Sequence, residues 1–597
     1  MIMSASAHQE RMRAWMREGV APAVSNSAGW LAFAEELHRH GVLHDACHAY
    51  WHLATLQPSE PAYLINIGNL LLELEDFGQS LVAFEEAIKR GAGNEVACQL
   101  GLGLALLYLQ RYQQAEISLG RAWRQEPDAY DVALAYAQCL MELERFDEVR
   151  SCLGHLDHRA MSRAQCESFA WLLANCGEEL RALALYEQLL DDTTATSELR
   201  VQLVLLLERL NRLDEAGRHL LHQSVVGSEM SPMKALAMGR MLRRQKKYES
   251  ADKSLASGIA MAGDGAIGAL LEFERAKNAD AGCRFDDAMA ALDRAHARAI
   301  VAYTRRFPGQ TEDGALGWLD ESLRAPVPLT WHSSQTKGGR SEDPTFLVGF
   351  PRSGTTLLER ILDAHPGFVV LDERPALEEA IACLRAGMDL AEPHLDDWLA
   401  SLSDTQIGKA RDIYHAVVAK YVSVDSCLID KYPLNLTRVP YIARLFPRAK
   451  YILLLRDPHD CVLSCYMQAF GMRGGALSFA TLEASAETYV KVMSYWERHR
   501  ALASAQVHVI RYEDLVNDMP SHVSALLHFL ASEWDDAVTS FQELAKSRPT
   551  RINTPSYAQV IEPIHDRAIG RWEHYRHHFS PRTQHLLAPW RLRYGYA

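Results

Sequence analysis

The chain has 597 residues, of which 48% are hydrophobic and 23% are charged, and its formal net charge at pH 7 is −14. This length is enough for several domains, and no run approaches the roughly 18 uninterrupted apolar residues that a membrane helix needs. From Thr345 onward 27 Lys and Arg oppose 29 Asp and Glu, so the preceding residues carry the remaining −12. The sequence therefore predicts no membrane span, and its acidic first half argues against nucleic acid as a partner.

The first 26 residues are predicted to form a separate helical N-terminal segment. They carry charged and polar residues where a secretory signal would have its apolar core. The eleven cysteines of the chain are scattered without CxxC pairs, which is typical of buried thiols in a reducing compartment and not of disulfides or zinc ligands. We therefore expect a cytoplasmic protein without a metal site.

Residues 27–324 are predicted to be all α-helical and to repeat with a period of about 34 residues. An aromatic residue or leucine recurs at this period and is expected to close the first helix of each unit. A small residue or valine follows it by three positions, and another small residue precedes it by nine in most units. The recurring aromatic or leucine positions are Leu43, Phe77, Tyr112, Phe146, Leu213, Tyr248 and Phe285.

This pattern resembles the tetratricopeptide repeat, with seven or eight units between Ser27 and Arg298 and a degenerate unit near Glu179. The resemblance implies pairs of helices that stack into a superhelix, because one pair cannot bury its apolar face alone. The groove of such a superhelix is expected to take a peptide or a protein partner.

The composition changes at residues 325–344, where Pro, Ser, Gly and polar residues predict a linker. From residue 345 to residue 597, short β-rich runs such as "TFLVGF" and "KYILLLRD" alternate with helical patterns. Buried strands separated by helices predict an α/β domain with a mostly parallel sheet and helices on both faces.

The first of these strands runs into "GFPRSGTT", which has the outline of a phosphate-binding loop. Gly349 and Gly354 have the spacing of the GxxxxGK[ST] motif, but Thr355 stands in the lysine position and Thr356 keeps the hydroxyl position. The amides at the start of the next helix would still point at a phosphate. Since the missing lysine serves the terminal phosphates of a triphosphate, ATP or GTP hydrolysis is not expected.

"FPRSGTTLLERILDAHP" resembles the 5′-phosphosulfate loop of sulfotransferases, which bind 3′-phosphoadenylyl sulfate (PAPS), and in particular that of tyrosylprotein sulfotransferases. The resemblance extends over nearly all of the last 250 or so residues. It implies a P-loop-type sulfotransferase fold with PAPS as the sulfuryl donor and no metal. The residues that it implies for holding the 5′-phosphosulfate are Arg352, Ser353, Gly354, Thr355 and Thr356.

A second stretch, "YILLLRDPHDCVLSCY", is read as a buried strand followed by a helix that begins at Pro458. By the same resemblance, Arg456 and Ser464 would hold the 3′-phosphate of PAPS. Late in the chain, Gly570 and Arg571 precede a tryptophan as in the family's loop that closes over the nucleotide. Further nucleotide contacts are expected from Tyr512, Arg551 and Ser556.

Three residues are predicted to carry the transfer chemistry. Arg352 can stabilise the charge that grows on the departing phosphate. Lys431, in "LIDKYPLN", follows a strand and aligns with a lysine that assists the leaving group in tyrosylprotein sulfotransferases. Glu373, in "VVLDERP", aligns with that family's catalytic glutamate and is the candidate general base, although the next two residues, Arg374 and Pro375, depart from the family motif. His365 is read as a helix-end residue.

The predicted function is therefore sulfuryl transfer from PAPS to a hydroxyl group, with a protein or peptide tyrosine as the favoured acceptor and the repeats recruiting it. The acidic charge of the repeats is in tension with this acceptor, because tyrosines that the family sulfates tend to lie among acidic residues. A saccharide or lipid head group as acceptor, a catalytically inactive repeat scaffold and a nucleotide kinase remain as alternatives. The sequence does not indicate the oligomeric state.

Overall fold

The computed structural model of the protein describes residues 11–15, 18, 20, 22–23, 26–190, 196–306, 316, 318–324, 343–386, 395–423, 427–470, 477–503, 506–542 and 565–596. These residues divide between two compact units, Met1–Ser228 and Glu229–Ala597. The predicted boundaries at residues 26, 324 and 344 stay predictions, since sequence pattern and compactness divide a chain on different grounds. Most of the predicted linker lies outside the described residues.

The first unit consists of paired helices, as the repeat pattern predicts. The pairs are α1 (Ser27–Arg39) with α2 (Leu43–Leu56), α3 (Ala62–Glu73) with α4 (Phe77–Lys89), α5 (Val96–Tyr108) with α6 (Tyr112–Gln125), α7 (Tyr130–Glu142) with α8 (Phe146–Leu153), α9 (Arg163–Cys176) with α10 (Glu179–Leu190), and α11 (Ser197–Arg209) with α12 (Leu213–Leu220). A short helix, α13 (Gln223–Val226), follows them.

The second unit begins with two further pairs of the same kind and continues into the α/β domain. The pairs are α14 (Pro232–Arg244) with α15 (Tyr248–Ala262) and α16 (Ala266–Ala281) with α17 (Phe285–Arg306). The remaining helices are α18 (Trp318–Arg324), α19 (Thr355–Asp363), α20 (Ala376–Arg385), α21 (Leu395–Ser401), α22 (Asp404–Val418), α23 (Val439–Leu445), α24 (Pro458–Tyr466), α25 (Leu482–Ala503), α26 (Tyr512–Asn517), α27 (Met519–Leu530) and α28 (Pro581–Arg593).

The prediction that the recurring aromatic and leucine residues close the first helix of each unit was wrong. Each begins the second helix of its pair and does not close the first. The turn between the two helices has a residue at positive φ two positions before the recurring residue. This conformation lets the turn's N–H groups bond to the free carbonyl groups at the end of the first helix. These turn residues are Gly41, Glu75, Gln110, Glu144, Asn211, Lys246 and Cys283.

A steric restriction explains the small residue that lies nine positions before the recurring aromatic residue or leucine. A Cβ on Gly68 would lie 2.6 Å from Cζ of Phe84, which the second helix of the same pair inserts against it. The two helices therefore approach closely because no side chain stands between them.

Five parallel strands form the sheet of the α/β domain in the order β2-β3-β1-β4-β5. They are β1 (Thr345–Gly349), β2 (Phe368–Asp372), β3 (Cys427–Lys431), β4 (Lys450–Leu455) and β5 (Val507–Arg511). The chain leaves β1 towards β2 on one side and later crosses to β4 on the other. The carboxyl ends of β1, β3 and β4 thus meet at the point where an open α/β sheet places its ligand.

Both faces of this sheet are covered, as predicted. Phe346 belongs to one buried cluster and its neighbour Leu347 to the other, because successive strand residues point to opposite faces. The first cluster also contains residues of the last helical pair, among them Ala279 and Leu292. The last repeat therefore shares a hydrophobic core with the sheet. No helix within the described ranges is both long and apolar enough to cross a bilayer.

Candidate active site

The loop after β1 forms a tight cradle at the carboxyl edge of the sheet. Arg352 has φ +71° and Gly354, the residue before α19, has φ +103°. Ser353 is 1% exposed, and its Oγ has no hydrogen-bond partner among the described residues. In the first turn of α19 the Leu357 N–H donates to the Gly354 carbonyl at 3.0 Å, and the N-terminal end of a helix carries the positive end of its dipole. The loop can therefore bind an anion in a buried position, through the Ser353 hydroxyl and backbone N–H groups.

Tyr512 closes one side of this cradle. It begins α26 after β5, and its ring packs on Gly354, where an added Cβ would lie 2.4 Å from the Cδ2 atom of Tyr512. The guanidinium of Arg456 lies over the same ring, 4.9 Å from its centroid. Tyr512 therefore fixes the position of the loop and of Arg456 together.

We predict that Gly354→Ala disrupts the cradle, since alanine at φ +103° is strained and its Cβ would collide with Tyr512. Binding of adenosine 3′,5′-bisphosphate (PAP), measured by titration calorimetry, should weaken at least about tenfold, in line with ~1–2 kcal/mol of strain. Gly408→Ala is the matched control, because a Cβ there meets nothing within 4 Å. Equal binding by both variants would contradict this reading of the loop.

Three arginines converge on the cradle. Arg352 Nε donates to Ser464 Oγ on α24 at 3.1 Å, and Arg456 Nη1 donates to the Arg352 carbonyl at 3.0 Å. Burial lowers the pKa of Arg352 to about 10, and the charges of Arg456 and Arg571 act in the same direction. A bound anion would relieve the mutual repulsion of these charges.

The segment around Arg571 is fastened to the same helix that carries Ser464. The carboxylate of Asp460 accepts the backbone N–H of Gly570 at 2.8 Å and that of Trp572 at 2.9 Å. The Trp572 ring stacks on His459 at 4.3 Å. Asp460 and His459 thus hold the Gly570–Trp572 segment against the start of α24, so that Gly570 and Arg571 lie next to Arg456.

Lys431, the last residue of β3, lies fully buried among three carboxylates. Its Nζ is 2.6 Å from Asp372, 2.8 Å from Glu373 and 2.9 Å from Glu359. Asp372 and Lys431 are paired across β2 and β3, and Glu359 reaches in from α19. Burial alone would lower the pKa of Lys431, but the three carboxylates raise it above its ordinary value. The three carboxylates therefore favour the charged form of the lysine.

Glu373 is the carboxylate of this cluster that is open to an acceptor. Its side chain is 27% exposed, against 17% for Asp372 and 2% for Glu359. It has φ +48°, and its N–H donates to the Lys431 carbonyl at 2.9 Å, which turns its side chain out of the strand. Burial raises the pKa of Glu373, opposed by Lys431. A base with a raised pKa accepts a proton more readily.

Burial also raises the pKa of Glu359, to about 7 from an ordinary 4.5, despite the attraction of Lys431. The folded protein binds this proton more tightly than the unfolded chain. The stability that Glu359 contributes is therefore complete below pH 4.5 and is lost as pH rises towards 7.

We predict that Glu359→Gln, which imitates the protonated acid, changes the melting temperature little at pH 5 and raises it by roughly 3 °C or more at pH 8 relative to the wild type. Thermal unfolding at both pH values measures this difference. Glu378→Gln, at a half-exposed surface carboxylate, should show no such pH dependence. A difference independent of pH would mean that Glu359 is ionised throughout.

The structure brings the predicted residues to one edge of the sheet in two adjoining groups. The anion cradle contains Arg352, Ser353, Gly354, Thr355, Thr356, Arg456, Ser464, Tyr512, Gly570 and Arg571, and the proton-transfer group contains Glu373 and Lys431. The charge of Arg352 acts on Glu373, which joins the two. Their roles stay predictions. Arg551 and Ser556 lie outside the described residues.

His365 follows the end of α19 and contacts one neighbouring residue and one distant residue. Its Nδ1 accepts from the Gly367 N–H at 3.0 Å and its Nε2 lies 2.9 Å from the Glu533 carbonyl. Elsewhere in the described part of the chain, Asp286, His577 and His578 form a group at the surface in which one potential ligand atom of each residue lies within 4.8 Å of the others.

Sequence reasoning missed three carboxylates that organise the site. Glu359 and Asp372 surround Lys431, and Asp460 fastens Gly570 and Trp572. A partial signal was present, since acidic residues end β2 beside the strand that ends in Lys431. For Asp460 the sequence shows only that it lies four residues after Arg456.

Comparison with known proteins finds two family models that match parts of this chain. Residues 344–536 match the model of the sulfotransferase family, and residues 106–168 match a tetratricopeptide-repeat model. Protein-tyrosine sulfotransferase 1 of Danio rerio is 29% identical over 266 residues, which cover 42% of this chain and 71% of that protein.

An uncharacterised protein of Aquifex aeolicus is 27% identical over 270 residues, which cover 44% of this chain but 35% of that protein. Among solved structures, the sulfotransferase domain of the Synechococcus PCC 7002 olefin synthase is 22% identical, with 43% of this chain and 97% of that domain covered at a TM-score of 0.29. The two matched sequence models and the parallel sheet agree with each other. The α/β domain thus contains residues that match a sulfotransferase family model, and the paired helices contain residues that match a tetratricopeptide-repeat model.

Proposed function

We propose that this protein transfers the sulfuryl group of PAPS to the phenolic hydroxyl of a tyrosine in a protein or peptide. The observation that carries the proposal is the contact of Glu373 with Lys431 at 2.8 Å, beside a cradle lined by three arginines. The candidate base Glu373, the cation Lys431 and the anion cradle are therefore next to one another at one edge of the sheet. In-line transfer requires these three functions together.

The cradle fits the two phosphate-bearing ends of the donor. The orphaned Ser353 hydroxyl and the first amides of α19 suit the 5′-phosphosulfate. Arg456 and Ser464, with Arg571 nearby, suit a 3′-phosphate, since guanidinium groups and hydroxyls bind phosphate oxygens by charge-assisted hydrogen bonds. The donor supplies an activated sulfuryl group whose transfer leaves PAP.

The chain's own residues handle the proton and the growing charge. As the acceptor oxygen bonds to sulfur, its proton passes to the carboxylate of Glu373, and the bond between sulfur and the 5′-phosphate oxygen breaks with its electron pair on that oxygen. Arg352 and Lys431 stabilise the negative charge that develops there. The tyrosine hydroxyl has a pKa of about 10, so its proton leaves only as the new bond forms.

Tyrosine is proposed as the acceptor because curated relatives at 25–29% identity across this domain are named protein-tyrosine sulfotransferases. We propose further that the repeats recruit the acceptor protein. Their acidic charge then favours an acceptor whose recruiting segment is basic, while the tyrosine itself is presented at the Glu373 site.

A saccharide or lipid head group is the second candidate acceptor. The observation that favours it is the residue after Glu373: Arg374 lies over the Tyr421 ring at 4.6 Å, in a flank that departs from the tyrosylprotein motif. The chemistry at Glu373 and Lys431 would be unchanged, because only the acceptor hydroxyl differs.

The test is transfer of ³⁵S-labelled sulfate from PAPS to a mixed panel of tyrosine peptides, saccharides and glycolipids, with PAP binding measured in parallel. Label on peptides, released as tyrosine sulfate, is the expected result. Label only on saccharide or lipid would move the acceptor to the second candidate. PAP binding without any label would leave a repeat scaffold, and ATP binding without PAP binding would indicate a kinase.

A further inference from the structure

The last helical repeat contacts the segment that carries Arg571. Asp280, one residue before the end of α16, forms an ion pair with Arg571, with Oδ2 at 2.6 Å from Nη2. Its other oxygen accepts the Tyr575 hydroxyl at 2.6 Å. One repeat carboxylate thus holds two side chains of the 3₁₀ helix Arg571–His578.

Further contacts fasten this 3₁₀ helix along the start of α17. The ring of Phe285 stacks on His574, with centroids 4.7 Å apart and planes 9° from parallel. Asp286 contacts Nε2 of His577 at 2.7 Å and of His578 at 2.8 Å. The segment therefore has a fixed position relative to the last repeat, although nearly 300 residues separate them in sequence.

The same repeat also contacts the helix that carries Ser464. The Tyr466 hydroxyl, two residues after Ser464, donates to Asp293, and the Tyr466 carbonyl lies 2.8 Å from Nε2 of His296. The His296 and Tyr466 rings stack at 4.6 Å. The repeat thus touches both chain segments from which a 3′-phosphate would be held.

Arg571 needs such a partner to stay in place. Its charge and those of Arg352 and Arg456 repel one another, so an unpaired Arg571 would be displaced from the cradle before an anion arrives. Burial alone would lower the pKa of Arg571, but Asp280 raises it above its ordinary value. The carboxylate therefore offsets the repulsion. The guanidinium, which has five N–H donors, is held by Asp280 and is also hydrogen-bonded to Tyr575.

We propose that the last repeat is part of the donor site, with Asp280 as a positioning residue that orients Arg571 towards the 3′-phosphate of the nucleotide. The inference rests on the proposed function. It means that the α/β domain does not contain the whole donor site by itself.

The experiment compares full-length wild type, Asp280→Asn, Arg571→Ala and the double variant by titration calorimetry with PAP and with adenosine 5′-phosphate, and by steady-state kinetics with PAPS. We expect Asp280→Asn to raise the Kd of PAP and the KM of PAPS about tenfold, with kcat within about twofold, because an oriented charge-assisted contact is weakened. Adenosine 5′-phosphate, which lacks the 3′-phosphate, should bind wild type and Asp280→Asn equally.

The double variant separates positioning from general damage. If Asp280 acts through Arg571, Asp280→Asn adds nothing to Arg571→Ala. Asp280→Glu, which moves the carboxylate by one methylene, should bind PAP with an affinity between those of wild type and Asp280→Asn, and it serves if the asparagine variant folds poorly. Asp252→Asn is the matched control, because it breaks the Asp252–Arg275 pair of 2.8 and 3.1 Å within the repeats.

Unchanged PAP affinity in Asp280→Asn, or an added loss in the double variant, would overturn the inference while wild-type binding upholds the proposed function. An equal loss for adenosine 5′-phosphate would also overturn it. Absence of PAP binding by the wild type would overturn the proposed function and this inference with it.

Discussion

Glu373→Gln is expected to reduce kcat for sulfuryl transfer by a factor of about 10²–10⁴, the usual contribution of a positioned general base. Glutamine keeps an oxygen for Lys431 but cannot take the acceptor's proton. Because Glu373 lies outside the anion cradle, the Kd of PAP should stay the same or fall slightly. Single-turnover transfer and titration calorimetry measure the two effects separately.

The pH profile gives a second measure of the same residue. Only ionised Glu373 can act as the base, and burial raises its pKa. The kcat/KM of the wild type should therefore fall on the acidic side at a pH above the ordinary glutamate pKa. Glu378→Gln is the control, since that carboxylate pairs with Arg438 at 3.0 Å at the surface. Full activity in Glu373→Gln would assign the proton to another group.

Lys431→Met is expected to have the largest effect on stability. Methionine retains much of the apolar stem of lysine but removes the cation from three carboxylates, one of which is 2% exposed. Breaking a buried ion pair in this way costs about 3–5 kcal/mol, because the remaining charges are buried without a partner. Chemical denaturation at pH 8 should show this loss, together with loss of sulfuryl transfer.

The loss should be smaller at pH 5, where the carboxylates of the variant can take up protons. Adding Glu359→Gln to Lys431→Met should restore part of the stability at pH 8 but none of the activity. Lys450→Met is the matched control: that lysine begins the neighbouring strand β4 and donates to the Phe529 carbonyl at 2.9 Å. It should cost about 1 kcal/mol. Equal losses in both variants would show that the cluster is not held by Lys431.

Local patterns in the sequence were sufficient for most of the fold. The 34-residue period predicts the helical pairs, and the β-rich runs "TFLVGF" and "KYILLLRD" contain β1 and β4. The phase of the repeat was misassigned because a residue that recurs next to a turn can either end the helix before the turn or begin the helix after it. Only the positive φ of residues such as Glu75 and Gln110 shows that the turn precedes it.

The resemblance to sulfotransferases predicted the residues of the anion cradle and the Glu373 and Lys431 pair. Glu373 and Lys431 lie together because β2 and β3 are neighbouring parallel strands, whose carboxyl ends share an edge. The tertiary structure alone decided the partners that set their charge states. Glu359 joins Lys431 from a helix, and Asp280 reaches Arg571 across 291 residues of sequence. Periodicity is a property of neighbours along the chain, whereas these contacts depend on strand order and on how the last repeat packs on the sheet, which no local pattern specifies.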